Sequence, residues 1–223
     1  MPTAPENDPT AALAMSGSDA LPMSGARSPA RSGTATDVAL VSTFAAFIAV
    51  CALVPSIPVA GLTVPITLQT FGVMLAGVVL GPRRGALAVG LYLAVGLAGL
   101  PVFAQGTGGL AVVAKPSFGY LIAFPLAAAL AGYLAGFARR VSPRLRPRVL
   151  FGAATTASLV FIHPIGIAVM AWRANLEPEA AIRFGALFLP GDVLKNLAVA
   201  AVAAAIFRAF PDMLQARRRR PFP

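Results

Sequence analysis

The 223-residue chain has little charge, and least of one sign. Eight Asp and Glu stand against 18 Lys and Arg, and charged residues make up only 12% of the whole. A soluble domain carries roughly a quarter of its residues as charges, so an ordinary water-facing surface is excluded. Cys51 is the only cysteine, which rules out an intrachain disulfide and any cysteine-based metal cluster. Its surroundings, AVCALV, make it a small apolar packing residue. His163 is the only histidine, which excludes any site needing two from one chain. There is no serine–histidine–acid set, no carboxylate pair and no metal-ligand spacing, so no catalytic or metal-binding residue is nominated. Nor is there a G-x-x-x-x-G-K-[ST] phosphate loop. The chain therefore cannot use ATP by that route, and if it pumps, the energy comes from another subunit.

What the chain has is apolar length. Hydrophobic residues make up 57%, and the mean hydropathy is +0.78. This predicts an all-α integral membrane protein. Hydropathy places about six spans: Val38–Val54, Val64–Leu80, Gly85–Leu100, Phe118–Ala138, Val149–Trp172 and Asp192–Phe210. The second and third are uncharged on every face and short for a bilayer, which implies tilt, thinning or burial within a bundle. Residues 1–36 are rich in Ala, Pro, Ser, Gly and Thr, and are expected to be a disordered cytoplasmic tail without the apolar centre of a signal peptide. Residues 37–210 form the membrane domain, and 211–223 a basic cytoplasmic tail.

The net charge of +10 does not point to nucleic acid, because the cations cluster between apolar runs with few aromatics among them. Arg83 and Arg84 occupy one loop, Arg139, Arg140, Arg144, Arg146 and Arg148 another, and Arg217–Arg220 the end of the chain. The alternate loops hold Lys115, and Arg173 with Arg183 offset by Glu177 and Glu179. This asymmetry puts both termini inside a cell (inner or plasma) membrane. The Pro55–Pro65, Phe103–Gly109 and Arg173–Gly191 loops then share the outer face.

Those outer loops carry the unusual chemistry. Thr63, Thr67, Gln69 and Thr70 stand where the second span begins, able to cap the helix or to face a ligand. The glycine-rich loop brings Phe103, Gln105, Lys115 and Tyr120: aromatic walls, an amide and a cation. In Pro190-Gly191-Asp192-Val193-Leu194-Lys195, the acid and the lysine are i,i+3 neighbours on one helical face. Ionisable residues inside a membrane usually mark a cavity or pathway. His163, before Pro164, reads instead as a residue that bonds a neighbouring backbone group. Ala45, Ala46 and Ala49 form a small-residue stripe on the first span, where another helix can approach.

The runs Val64-Pro65-Ile66-Thr67-Leu68-Gln69-Thr70-Phe71-Gly72-Val73, Gly81-Pro82-Arg83-Arg84-Gly85-Ala86 and Gly99-Leu100-Pro101-Val102-Phe103, with Gly119-Tyr120-Leu121 and Pro190-Gly191-Asp192-x-x-Lys195, resemble the BioY family. Its members are biotin-specific substrate-binding (S) components of energy-coupling-factor (ECF) transporters. The resemblance covers about residues 38–210 and implies a six-helix S-component fold whose outer loops close over one biotin, the transported ligand, with no cofactor. It implies as partners a membrane T component, docked through Ala45, Ala46 and Ala49, and ATPase subunits. Membrane lipid surrounds such a bundle, and a homo-oligomer stays open.

Biotin's chemistry suits the residues. Asp192 accepts from the ureido N–H groups and Lys195 donates to the ureido carbonyl. Phe71, Phe103 and Tyr120 cover the rings, Thr67 adds a hydroxyl, and Gln105 or Lys115 lies near the carboxylate. The other readings are an S component for thiamine or riboflavin, a solitary biotin transporter, a lipid-modifying enzyme using Asp192 as base, and a purely structural docking subunit.

Overall fold

A computed structural model describes residues 29–56, 64–211 and 213 of the chain. Thr63 and the basic run Arg217–Arg220 lie outside the described residues. Among the described residues the architecture is helical. Helix α1 spans Pro29–Leu53, α2 Gln69–Leu80, α3 Pro82–Leu97 and α4 Phe118–Ala135, the last running on into a 3-10 turn at Gly136–Arg139. Helix α5, Arg146–Ala157, joins α6, His163–Ala174, through a π turn at Ser158–Ile162. A short α7, Pro178–Ala186, precedes α8, Leu189–Ala209.

The six expected spans map onto α1, α2, α3, α4, the continuous α5–α6 rod and α8. Among the described residues, four stretches are long and apolar enough to cross a bilayer: Gly33–Leu53, Phe118–Arg139, Arg146–Ala174 and Leu189–Ala209. The boundaries differ from expectation in three places. Helix α1 starts at Pro29, inside the stretch assigned to the tail. The last outer loop contains α7. The second span does not begin at Val64: Pro65 cannot donate a helical hydrogen bond and disfavours helix in the residue before it, so α2 starts only at Gln69.

With 12 residues, α2 is about 18 Å long, too short to cross a membrane alone. Its neighbours enclose it. Every residue from Gly72 to Leu80 is buried, and α2 packs on α1, α3, α4 and α8. Its all-round apolarity therefore reflects burial within protein rather than contact with lipid. Glycine makes the close approach possible. A Cβ on Gly77 would lie 2.3 Å from the Ala128 carbonyl oxygen, one on Gly132 2.6 Å from the Gly77 oxygen, and one on Gly85 2.7 Å from the Gly77 Cα. The backbones of α2, α3 and α4 thus touch at one level, as small residues allow in membrane bundles.

The two ends of the bundle differ chemically. At one, Arg84 pairs with Asp37, tying the α2–α3 turn to the first part of α1. The end of α4 meets the same turn through Gly132 and Gly81, and Tyr133 and Phe137 pack edge to face with Arg140 over the Phe137 ring. At the other end, Trp172 is 69% exposed, with the Arg173 guanidinium 4.5 Å from its ring centre. Aromatic and cationic side chains at both ends of an apolar bundle match the interfacial belts of a membrane protein.

Candidate functional site

A cavity of about 260 Å³ opens at the Trp172 end, where the starts of α2, α4 and α8 meet the segment between α3 and α4. Two aromatic walls are set by glycine. The Phe103 ring fills the space above Gly96, where a Cβ would come within 2.2 Å of it, and the Tyr120 ring lies on Gly166, 2.4 Å from a Cβ built there. Phe103 also meets Tyr92 edge to face at 5.3 Å, and Phe188 leans on Tyr120 at 5.8 Å. Phe124, Leu121, Ile162 and Val112 complete the apolar lining.

One group of polar side chains is bound to itself. Asp192, 6% exposed, sits in the first turn of α8, where the helix dipole favours a negative charge. One turn on, Lys195 Nζ lies 2.7 Å from Asp192 Oδ1. Lys195 also donates to Thr70 Oγ1 of α2 at 2.8 Å, and Thr70 donates to Asp192 Oδ1 at 3.3 Å. The second carboxylate oxygen faces α6, with His163 Nε2 3.1 Å from Oδ2. Both ring nitrogens are buried without a hydrogen bond of standard geometry, as is the Tyr120 hydroxyl. His163 thus stands beside a carboxylate, where a backbone partner was expected.

A second polar set braces the wall. Gln69 Nε2 donates to Tyr92 Oη at 2.8 Å, and that hydroxyl donates to the Val102 carbonyl at 3.2 Å. The Gln69 backbone N–H donates to Thr67 Oγ1 at 3.3 Å, so Thr67 lines the cavity and caps the α2 start together. Around the mouth stand Gln105, Thr107, Lys115 and Ser117. Gln105 is exposed and adopts a left-handed φ of 61°, a conformation uncommon outside glycine. Lys115 is half-buried and pairs with no carboxylate among the described residues.

Of the residues expected at the site, Asp192, Lys195, Gln105, Tyr120, Phe103, Thr67 and Lys115 line this cavity. Phe71 does not. The helix turns about 100° per residue, so the face that points Thr70 at Asp192 carries Phe71 to the flank, 6.2 Å from Phe47 of α1. The expected docking stripe is split for the same reason. Ala45 is buried in the chain's own core, Ala49 is half-buried, and only Ala46 of the three is exposed. Sequence reasoning missed Phe188, Phe124 and Ser117 in the lining, along with Tyr92 as the partner of Gln69 and His163 as the neighbour of Asp192. Apolar spans show no signal for such pairings, which depend on how the helices rotate against each other.

Comparison with known proteins agrees with this fold. The sequence profile of the BioY family matches residues 23–212. A protein of Rhizobium etli named biotin transporter BioY is 38% identical over 183 residues, covering 81% of this chain and 97% of the relative. One of the same name from Rhodobacter capsulatus is 40% identical over 191 residues, covering 81% and 98%. The fold matches a crystal structure of the S-component for biotin from an ECF-type ABC transporter, with a TM-score of 0.71 and 27% identity, over 79% of this chain and 93% of that one. With the profile spanning most of the sequence and the cavity built from the motif residues, the chain belongs to the BioY family.

Proposed function

We propose that this membrane-embedded chain captures biotin in the cavity at the Trp172 end and serves as the S component of an ECF-type transporter. The observation that carries the reading is the Asp192–Lys195–Thr70 cluster, set in an aromatic-walled cavity. Biotin's ureido ring offers two N–H donors and one carbonyl acceptor. Asp192 takes the donors, and Lys195 with Thr70 serves the carbonyl. Phe103, Tyr120 and Phe188 cover the rings, whose burial contributes about 25 cal/mol per Å², while the few polar groups fix orientation. The valerate carboxylate reaches the mouth, where Lys115, which pairs with no carboxylate among the described residues, offers a cation and Gln105 and Ser117 offer further donors. The role of the protein is binding and release rather than bond making.

The arginine-rich end then faces the cytoplasm and the cavity faces outward across the cell membrane. The T component and its ATPases engage from the membrane and the inner side. On α1 the lipid-facing flank at Ala46, beside Ser42 and Val50, is the place where a partner helix can pack closely.

The test is labelled-biotin binding to the purified full chain, with thiamine and riboflavin as competitors. Saturable biotin binding that Asp192→Ala and Lys195→Ala abolish is expected, because each change leaves the other charge buried and unpaired, a loss of roughly 2–5 kcal/mol. Unchanged affinity in either variant removes the site. Displacement by thiamine or riboflavin in place of biotin removes the ligand.

A further inference from the structure

The α5–α6 rod departs from regular helix next to the cavity. Pro164 has no N–H to donate to the carbonyl four residues back, and the backbone widens into the π turn at Ser158–Ile162. Such a turn holds one residue more than an α turn, so everything after it is rotated by about 100° relative to α5. Ile162 consequently faces the cavity, and His163 points into the bundle, 6% exposed.

There His163 is a polar group without an evident use. Neither ring nitrogen has a hydrogen bond, which is costly in a buried site and more so in a membrane bundle. It does not line the cavity. Its Nε2 lies 3.1 Å from Asp192 Oδ2. The other carboxylate oxygen is held from the cavity side by Lys195 and Thr70.

We infer that His163 is a positioning residue for Asp192: it backs the carboxylate from the side away from the ligand and fixes the plane in which Asp192 meets the ureido donors. A small rotation of the imidazole aligns its Nε2–H with Oδ2. The carboxylate is then clamped between α6 and the Lys195–Thr70 pair, and only one rotamer remains. The π turn, by setting the rotation of α6, becomes part of the specificity apparatus without touching ligand. This inference rests on the biotin reading and deepens it.

The test is a labelled-biotin titration of the full chain in lipid nanodiscs, with a thermal melt of each variant as the folding control. His163→Phe is expected to weaken biotin at least tenfold. His163→Gln, whose amide reaches the Nε2 position, is expected to restore most of the affinity, whereas the shorter His163→Asn is not. In a double-mutant cycle, Asp192→Asn should cost much less in the His163→Phe background than in the wild type. Wild-type affinity in His163→Phe, or additive losses in the cycle, overturns the inference while the biotin reading stands. If His163→Phe does not fold, Gln against Asn decides, and equal affinities overturn it. A wild-type chain that fails to bind biotin removes the functional reading itself, and this inference with it.

Discussion

Thr70 and Lys195 lie 125 residues apart in sequence, and their side chains meet at 2.8 Å, the lysine donating to the hydroxyl. The bond joins the first turn of α2 to the second turn of α8. It turns an acid–lysine pair within one helix into a contact between two.

Thr70→Val keeps the shape of the side chain and removes that acceptor and donor. Hydrogen bonds to charged groups contribute about 1.5–3 kcal/mol, so biotin Kd should rise by roughly ten- to a hundredfold. Isothermal titration of the purified variant reads this directly. An unchanged Kd would mean that Thr70 serves folding alone.

Tyr92→Phe should act on stability first. Gln69 Nε2 would lose its partner while remaining buried, at a cost of about 1–3 kcal/mol. The thermal midpoint should fall, and part of the loss should return when Gln69→Leu is added, since an apolar pair no longer leaves a donor unsatisfied. A double variant less stable than Tyr92→Phe alone would count against this brace.

Gly77→Ala tests the contact between α2 and α4. The added methyl would sit 2.3 Å from a backbone oxygen of Ala128, which no side-chain rotation can relieve. The change should cost about 1–3 kcal/mol or more, seen as lower folded yield and an earlier melt. The fraction that folds should still bind biotin, because the contact is remote from the cavity. Wild-type yield and melting would show that the helices can separate freely.

Lys115 can be separated from the ring-binding groups by changing the ligand. If it meets the carboxylate, Lys115→Ala should weaken biotin severalfold and leave biotin amide, which has no charge there, nearly unaffected. Parallel losses for both ligands would move the carboxylate elsewhere.

Much of this was legible in the sequence. The apolar runs gave the helices, because lipid imposes length rules that need no tertiary detail. The acid and lysine of α8 could be paired from their spacing alone. Phe71 could not be placed, since one helical residue is the difference between facing the cavity and facing α1. The stripe of Ala45, Ala46 and Ala49 divides between core and surface for the same reason: small residues mark close approach but not whose helix approaches. His163 was hidden by the π turn, an irregularity that shifts the register of everything after it and that Pro164 alone does not specify.

In the self-bound cluster around Asp192, the carboxylate and the ammonium already neutralise each other. On the proposed biotin reading, an arriving molecule is admitted by exchange: it must return a donor for each donor it displaces and an acceptor for each acceptor. A guest with matching polarity slips in at small electrical cost, whereas one of similar size lacking a single N–H leaves a buried carboxylate lone pair unsatisfied. Selectivity of this kind rejects near misses more firmly than it rewards the right fit.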